Sequence, residues 1–283
     1  MRLRLALAVA GLAAAAAGCG GAEPPRAAEE PDEPAFAVVE SGGGADNVAI
    51  AGGSEATGSS GDGGIERGSA AGGPEVRGGA TPAAPERRFR TAAVLRRTTL
   101  RASPAGEVVA RIGQETEFGS RRVLAVTGER DGWLRVIATE RSNGEQAWIR
   151  ASAARLGATD VWIRVDRSKR ELTLRRGREV LRRLPVAVGR PGTETPLGRF
   201  AVTDLLLTRQ PDSPYGCCAV ALSGHQTKLV PGWPGGDRLA IHATPNPETI
   251  GRPASLGCMR AHARDVRMLM RRVPLGAPVV VVA

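Results

Sequence analysis

Lysine is nearly absent from this chain, at two copies against 37 arginines, and aromatic residues make up only 3% of its 283 positions, with a single tyrosine among them. Proteins that grip single-stranded nucleic acid stack bases on aromatic side chains set among cations. No such platform and no nucleic-acid motif accompanies the arginines, so nucleic acid is not the expected partner of the +10 net charge. An anionic lipid or wall polymer, or plain solvation of an arginine-rich surface, accounts for that charge. Histidine is scarce too, confined to His225, His242 and His262. No His-x-x-x-His pair and no carboxylate at ligand spacing joins them, so no metal and no other cofactor is expected, and a metal-dependent peptidase is the weakest reading. The four cysteines, Cys19, Cys217, Cys218 and Cys258, are too few for a disulfide framework and lack zinc-type spacing. Adjacent cysteines rarely bridge each other, which leaves Cys217 and Cys218 without an assigned role. The thirteen apolar residues from Leu5 to Ala17 are too few for a stable membrane-spanning helix.

That apolar run follows Arg2 and Arg4 and ends in Ala-Ala-Gly-Cys at 16–19, the form of a secretion leader. Residues 1–18 read as a lipoprotein-type signal peptide. Ala16–Cys19 resembles a lipobox, with Cys19 as the lipidated residue and the membrane as a partner, although Ala16 stands where such boxes prefer Leu. A simple cleaved leader is the alternative. Either way the protein is expected to be exported to the cell envelope and to face the wall. Residues 19–88 carry a charge of −7 and are mostly Gly, Ala, Pro, Ser and Glu. They cannot bury enough apolar surface to offset chain entropy and read as a disordered tether. Residues 89–157 hold short alternating strands separated by turn pairs such as Asp131-Gly132 and Asn143-Gly144. Such a length of short strands suggests a small barrel. The run ending in EQAWIRASAARL resembles a bacterial SH3-like domain, for which a cell-wall polymer is the expected ligand. Trp133 and Trp148 there are either packing residues or the wall of a groove.

Residues 158–283 begin with a hairpin, VWIRVD at 161–166 and ELTLRR at 171–176. The run RLAIHAT at 238–244 is a strand that delivers His242 near its end. Val266, Leu269, Met270 and Val273 fall on one face of a helix, and VVVVA closes the chain as a strand. Cys258 follows His242 by sixteen positions. A thiol needs a base to become a nucleophile, and a histidine distant in sequence can supply one. Gly257 leaves room for a substrate backbone and permits the turn that presents the Cys258 N–H as an oxyanion donor.

The surrounding residues carry more. His242, Thr244, Pro247, Ile250 and Gly251, followed by Ser255, Gly257, Cys258, Met259 and Arg260, form a pattern that resembles the L,D-transpeptidase (YkuD-like) catalytic domain. TPLGRF at 195–200, Pro214-Tyr215-Gly216 and LSGH ending at His225 look like the same family. The resemblance covers roughly 160–283. It implies a mainly β, sandwich-like fold with a short helix after the cysteine, placed after the SH3-like barrel. It also implies acyl transfer on peptidoglycan stem peptides, with Cys258 as nucleophile and His242 as base. The Ala243 carbonyl would orient the imidazole, and Gly257 would shape the oxyanion site. Arg260, Ser255, His225 and Tyr215 would bind substrate or support the loop. The family often has Gly at position 243 and His at position 256, where this chain has Ala and Leu. An L,D-carboxypeptidase or crosslink hydrolase using the same pair, and a wall-binding protein with a degenerate catalytic domain, are the alternatives. The intact His242 and Cys258 argue against the last.

Overall fold

The computed structural model describes residues 36–38, 88–210, 212–233 and 235–283. The leader, Cys19 and nearly all of the expected tether lie outside the described residues. The strands in chain order begin with β1 (Phe36–Val38), β2 (Phe89–Val94), β3 (Thr98–Arg101), β4 (Val108–Ile112), β5 (Val123–Arg130) and β6 (Trp133–Ile137). They continue with β7 (Ala147–Arg150), β8 (Ala154–Thr159), β9 (Val161–Asp166), β10 (Glu171–Arg176), β11 (Glu179–Pro185) and β12 (Val188–Gly189). The last six are β13 (Gly198–Thr208), β14 (Cys218–His225), β15 (Arg238–Ala243), β16 (Pro253–Ser255), β17 (Met259–Ala261) and β18 (Pro278–Val282), with one α-helix among the described residues, α1 (Ala263–Arg272), before β18. The chain is mainly β, as its alternating patterns predict.

Strands β2 to β8 form one antiparallel sheet in the order β4-β3-β7-β6-β5-β2-β8. Its core is Leu100, Ile112, Leu124, Leu134, Val136 and Ile149 with smaller neighbours. Asp131 and Gly132 both take positive φ, at 48° and 75°, the conformation that joins β5 and β6 by a two-residue turn matched to strand twist. Trp133 is only 5% exposed, and the Arg150 guanidinium lies 4.0 Å over its ring. It packs rather than lining an open groove, because its apolar area is worth more inside than in water.

The second sheet runs β11-β10-β9-β18-β13-β14-β15-β17, with β1 added against β13. The apolar run containing Phe36–Val38 is a β-prone island in a Gly-rich stretch, and it pairs antiparallel with Leu206–Thr208. Ile163, Leu172, Leu174, Phe200, Leu205, Leu222, Leu239 and Ile241 fill the core. Helix α1 buries Val266, Leu269 and Met270, carries Asp265 in its first turn and Arg271 and Arg272 in its last, and so complements the helix dipole. The Cys217 and Cys218 sulfurs are joined in a disulfide, a role the sequence left open. Cys218 is fully buried and Cys217 packs against the same core, so the fold holds both side chains together.

Two pairings position the site. Strand β15 lies antiparallel to β14, with His242 opposite Ala219, and parallel to β17, with His242 opposite Arg260. Parallel neighbours need a crossover. The loop 244–258 supplies it, and it returns Cys258 to the flank of the strand that carries His242.

Candidate active site

Cys258 and His242 line one cavity together with Tyr215, Gln226, Lys228, Trp233, Asp237, Arg238, Ser255 and Arg260. His242 is 4% exposed. Its Nδ1 lies 2.5 Å from the Ala243 carbonyl oxygen. A carbonyl only accepts, so Nδ1 carries the proton and Nε2 is left with its lone pair. The ring is also met edge-on by Tyr215, centroids 5.0 Å apart, and the tight turn before β14 brings Tyr215 there. In that turn Gly216 has φ 62°, and a side chain in its place would meet Ala243 at 2.7 Å.

The cysteine loop is braced by hydroxyls and an amide. Ser255 Oγ donates to the Cys258 carbonyl at 2.5 Å and accepts from the Gly257 N–H at 3.1 Å. The Gly257 N–H is therefore engaged within the loop. Buried Thr195 donates to the Gly257 carbonyl at 2.7 Å and accepts from the Gly189 N–H at 2.9 Å. Gln226 Nε2 donates to the Leu256 carbonyl at 2.8 Å. It also sits where a Gly257 Cβ would be, at 2.2 Å, and Gly257 has φ 126°. Only glycine meets both conditions.

Charge sets the resting state. Burial holds the His242 imidazole down at about 4, opposed by its bond to Ala243 and reinforced by the Arg260 guanidinium. Burial pushes the Cys258 thiol up, against the Ala240 backbone and Arg260. The thiol donates weakly to the Arg238 carbonyl at 3.7 Å. At neutral pH the pair is a neutral thiol beside a neutral imidazole, not a preformed ion pair. Arg260 lines the same cavity and its charge acts on both groups, and its Nε is buried with no hydrogen-bond acceptor among the described residues.

The structure thus brings together His242, Ala243, Tyr215, Ser255, Gly257, Cys258 and Arg260. His225 is not among the residues lining this cavity. Its Nδ1 is 2.9 Å from Asp237 and its Nε2 2.7 Å from the Thr139 carbonyl, in the connection between β6 and β7. His262 precedes α1 as its cap residue. Among the described residues no group of three or more His, Cys, Asp or Glu is placed to hold a metal, and no helix is long and apolar enough to cross a membrane. Thr195, Gln226 and Arg238 were missed as site residues by sequence reasoning. Thr195 opens TPLGRF and Gln226 follows LSGH directly, so the signal lay at the edges of motifs already read.

A mainly β scaffold thus sets a buried imidazole, oriented by a backbone carbonyl, in one cavity with a cysteine. Residues 160–281 match the family model of YkuD, the L,D-transpeptidase catalytic domain. Two curated relatives are the YkuD proteins of Bacillus subtilis (strain 168) and Bacillus licheniformis. Each is 34% identical over 119 residues, covering 42% and 41% of this chain. The chain spans 64% and 62% of their lengths. Among solved structures it is similar to an L,D-transpeptidase from Mycobacterium smegmatis, at 18% identity and TM-score 0.36 over 58% of this chain and 91% of that one. It is also similar to an L,D-transpeptidase from Mycobacterium tuberculosis H37Rv, at 16% identity and TM-score 0.39 over 68% and 81%.

Proposed function

We propose that this protein is an exported L,D-transpeptidase that forms 3→3 crosslinks between peptidoglycan stems through a thioester on Cys258. The observation that carries the reading is the tautomer of His242. With Nδ1–H donated to the Ala243 carbonyl, Nε2 is the base that faces chemistry. Cys258 Sγ attacks the carbonyl of the third stem residue, and its proton passes to His242 Nε2. The Cys258 N–H receives the oxyanion. The imidazolium returns the proton to the amine of the terminal D-Ala, the C–N bond breaks, and the thioester remains. An amine from a second stem then attacks the thioester carbonyl, giving its proton to Nε2, and the thiolate leaves and is reprotonated. The thioester conserves the acyl group, so no nucleotide is consumed. Arg260, with a buried N–H lacking an acceptor, suits a carboxylate or carbonyl of the donor stem.

Export on a lipidated Cys19, which faces the enzyme toward its polymer, belongs to the same reading, as does wall binding by the SH3-like region. The test is incubation of the purified protein with a disaccharide-tetrapeptide and a free D-amino acid, read by mass spectrometry against Cys258→Ala. Cysteine-dependent exchange or dimer formation is expected. Tripeptide as sole product would replace transfer by hydrolysis.

A further inference from the structure

The two sheets meet through polar contacts that converge on the nucleophile. Loop 115–120 of the first sheet is closed on itself. The Gly119 N–H donates to the Thr116 carbonyl at 3.1 Å, and the Ser120 N–H to Thr116 Oγ1 at 3.1 Å. Thr116 Oγ1 in turn donates to the buried Asp204 of β13. From this tip Glu117 forms an ion pair with Arg238 of β15, and the guanidinium lies 5.7 Å over the Phe118 ring. A second loop, 139–144, grips His225. Asn143 accepts from its N–H at 2.9 Å and donates to its carbonyl at 2.6 Å. Arg122 ties the loops together, reaching Glu140 at 2.7 Å and the Glu115 carbonyl at 2.9 Å.

On the other side of these grips stands Cys258. The Arg238 carbonyl is the acceptor of its thiol, and the same residue's guanidinium is fixed by Leu222 O at 2.5 Å and Thr203 Oγ1 at 2.9 Å as well as by Glu117. His225 is paired with Arg238 across β14 and β15 and is followed by Gln226, which holds the Leu256 carbonyl two residues before the nucleophile. We propose that loops 115–120 and 139–144 of the N-terminal sheet are a positioning element for Cys258, with Glu117 acting through Arg238 and Asn143 through His225–Gln226. The catalytic sheet is then incomplete as a catalytic unit without the sheet that precedes it. The inference rests on reading Cys258 as the nucleophile. Glu117 and Asn143 are positioning residues, because neither lines the cavity.

The test uses the full chain and iodoacetamide, a small neutral probe whose reaction with Cys258 requires no stem peptide. The charged or titratable groups around the thiol are His242 and Arg238 from β15, Arg260 from β17, Tyr215 from the turn before β14, and Lys228 and Asp237 from the loop between β14 and β15. A thiol that donates to a carbonyl is stabilised in its neutral form. Loosening Arg238 weakens that bond and leaves a cation uncompensated, and both effects favour the thiolate. Glu117→Gln is expected to move the midpoint of the alkylation pH profile down by about half a unit and to slow stem-peptide transfer by about tenfold. Glu117→Asp is expected to restore both in part. Asn143→Ala acts on the second loop, so a poorly folding Glu117 variant does not decide the matter. A native alkylation profile in the folded fraction of both variants, with or without a lower melting temperature, overturns the inference. Transfer activity that survives Cys258→Ala would overturn the proposed function instead, while the alkylation comparison would still measure the positioning.

Discussion

His242 shows how one side chain ties stability to chemistry. Its folded value of about 4 lies below the 6.5 of an unperturbed imidazole. Between those values the unfolded chain binds a proton that the folded chain refuses, so stability is present above pH 6.5 and is lost as pH falls toward 4. The contribution is about 3 kcal/mol. Urea unfolding at pH 7 and pH 4.5 is expected to show this loss, and His242→Gln to show a flatter dependence; equal slopes would contradict the buried neutral ring. In the proposed mechanism His242 is also the base, so His242→Ala is expected to slow acylation of Cys258 by a carbapenem β-lactam about 10²–10⁴-fold, followed by intact mass. A native rate would remove it from the mechanism. Cys258, His242 and Arg260 could be singled out in the sequence because the motif around them resembles the L,D-transpeptidase catalytic domain. The engaged Gly257 N–H could not be, since which hydroxyl faces an amide is decided by folding and not by spacing.

Among the elements, the loop between β16 and β17 depends on partners from three others. Thr195→Val removes the donor to the Gly257 carbonyl and the acceptor of the Gly189 N–H, both at a buried site. Leaving those groups unpaired is expected to cost about 1–3 kcal/mol in denaturant unfolding and to slow β-lactam acylation. Unchanged stability would mean that the loop is held without it. The hairpin of β9 and β10, helix α1 and strand β18 were readable beforehand, because alternation and a 3.6-residue apolar stripe are local signals. The parallel pairing of β15 with β17 has no local signal. It is fixed by core packing of Ile241 and Met259, which are both fully buried.

Taken whole, the molecule is strongly basic, at +10, and its proposed partners are anionic. Co-sedimentation with purified anionic wall polymer is expected to fall sharply between about 0.05 M and about 0.5 M salt, as screening shortens the range of the field; binding indifferent to salt would point to a specific groove. The sequence by itself determined the mainly β composition and the resemblance of residues 160–281 to the L,D-transpeptidase catalytic domain, and it singled out Cys258 and His242 as candidates, because periodicity and a motif of fixed chemistry survive in one dimension. The tertiary structure alone decided that His225 clamps the two sheets, that Trp133 packs inside, that Cys217 and Cys218 bridge, and that Glu117 and Asn143 reach toward the cysteine. Those outcomes depend on which surfaces meet after each sheet has buried its own core, and residues up to 141 positions apart in the chain (Glu117 and Cys258) share no pattern that records the meeting.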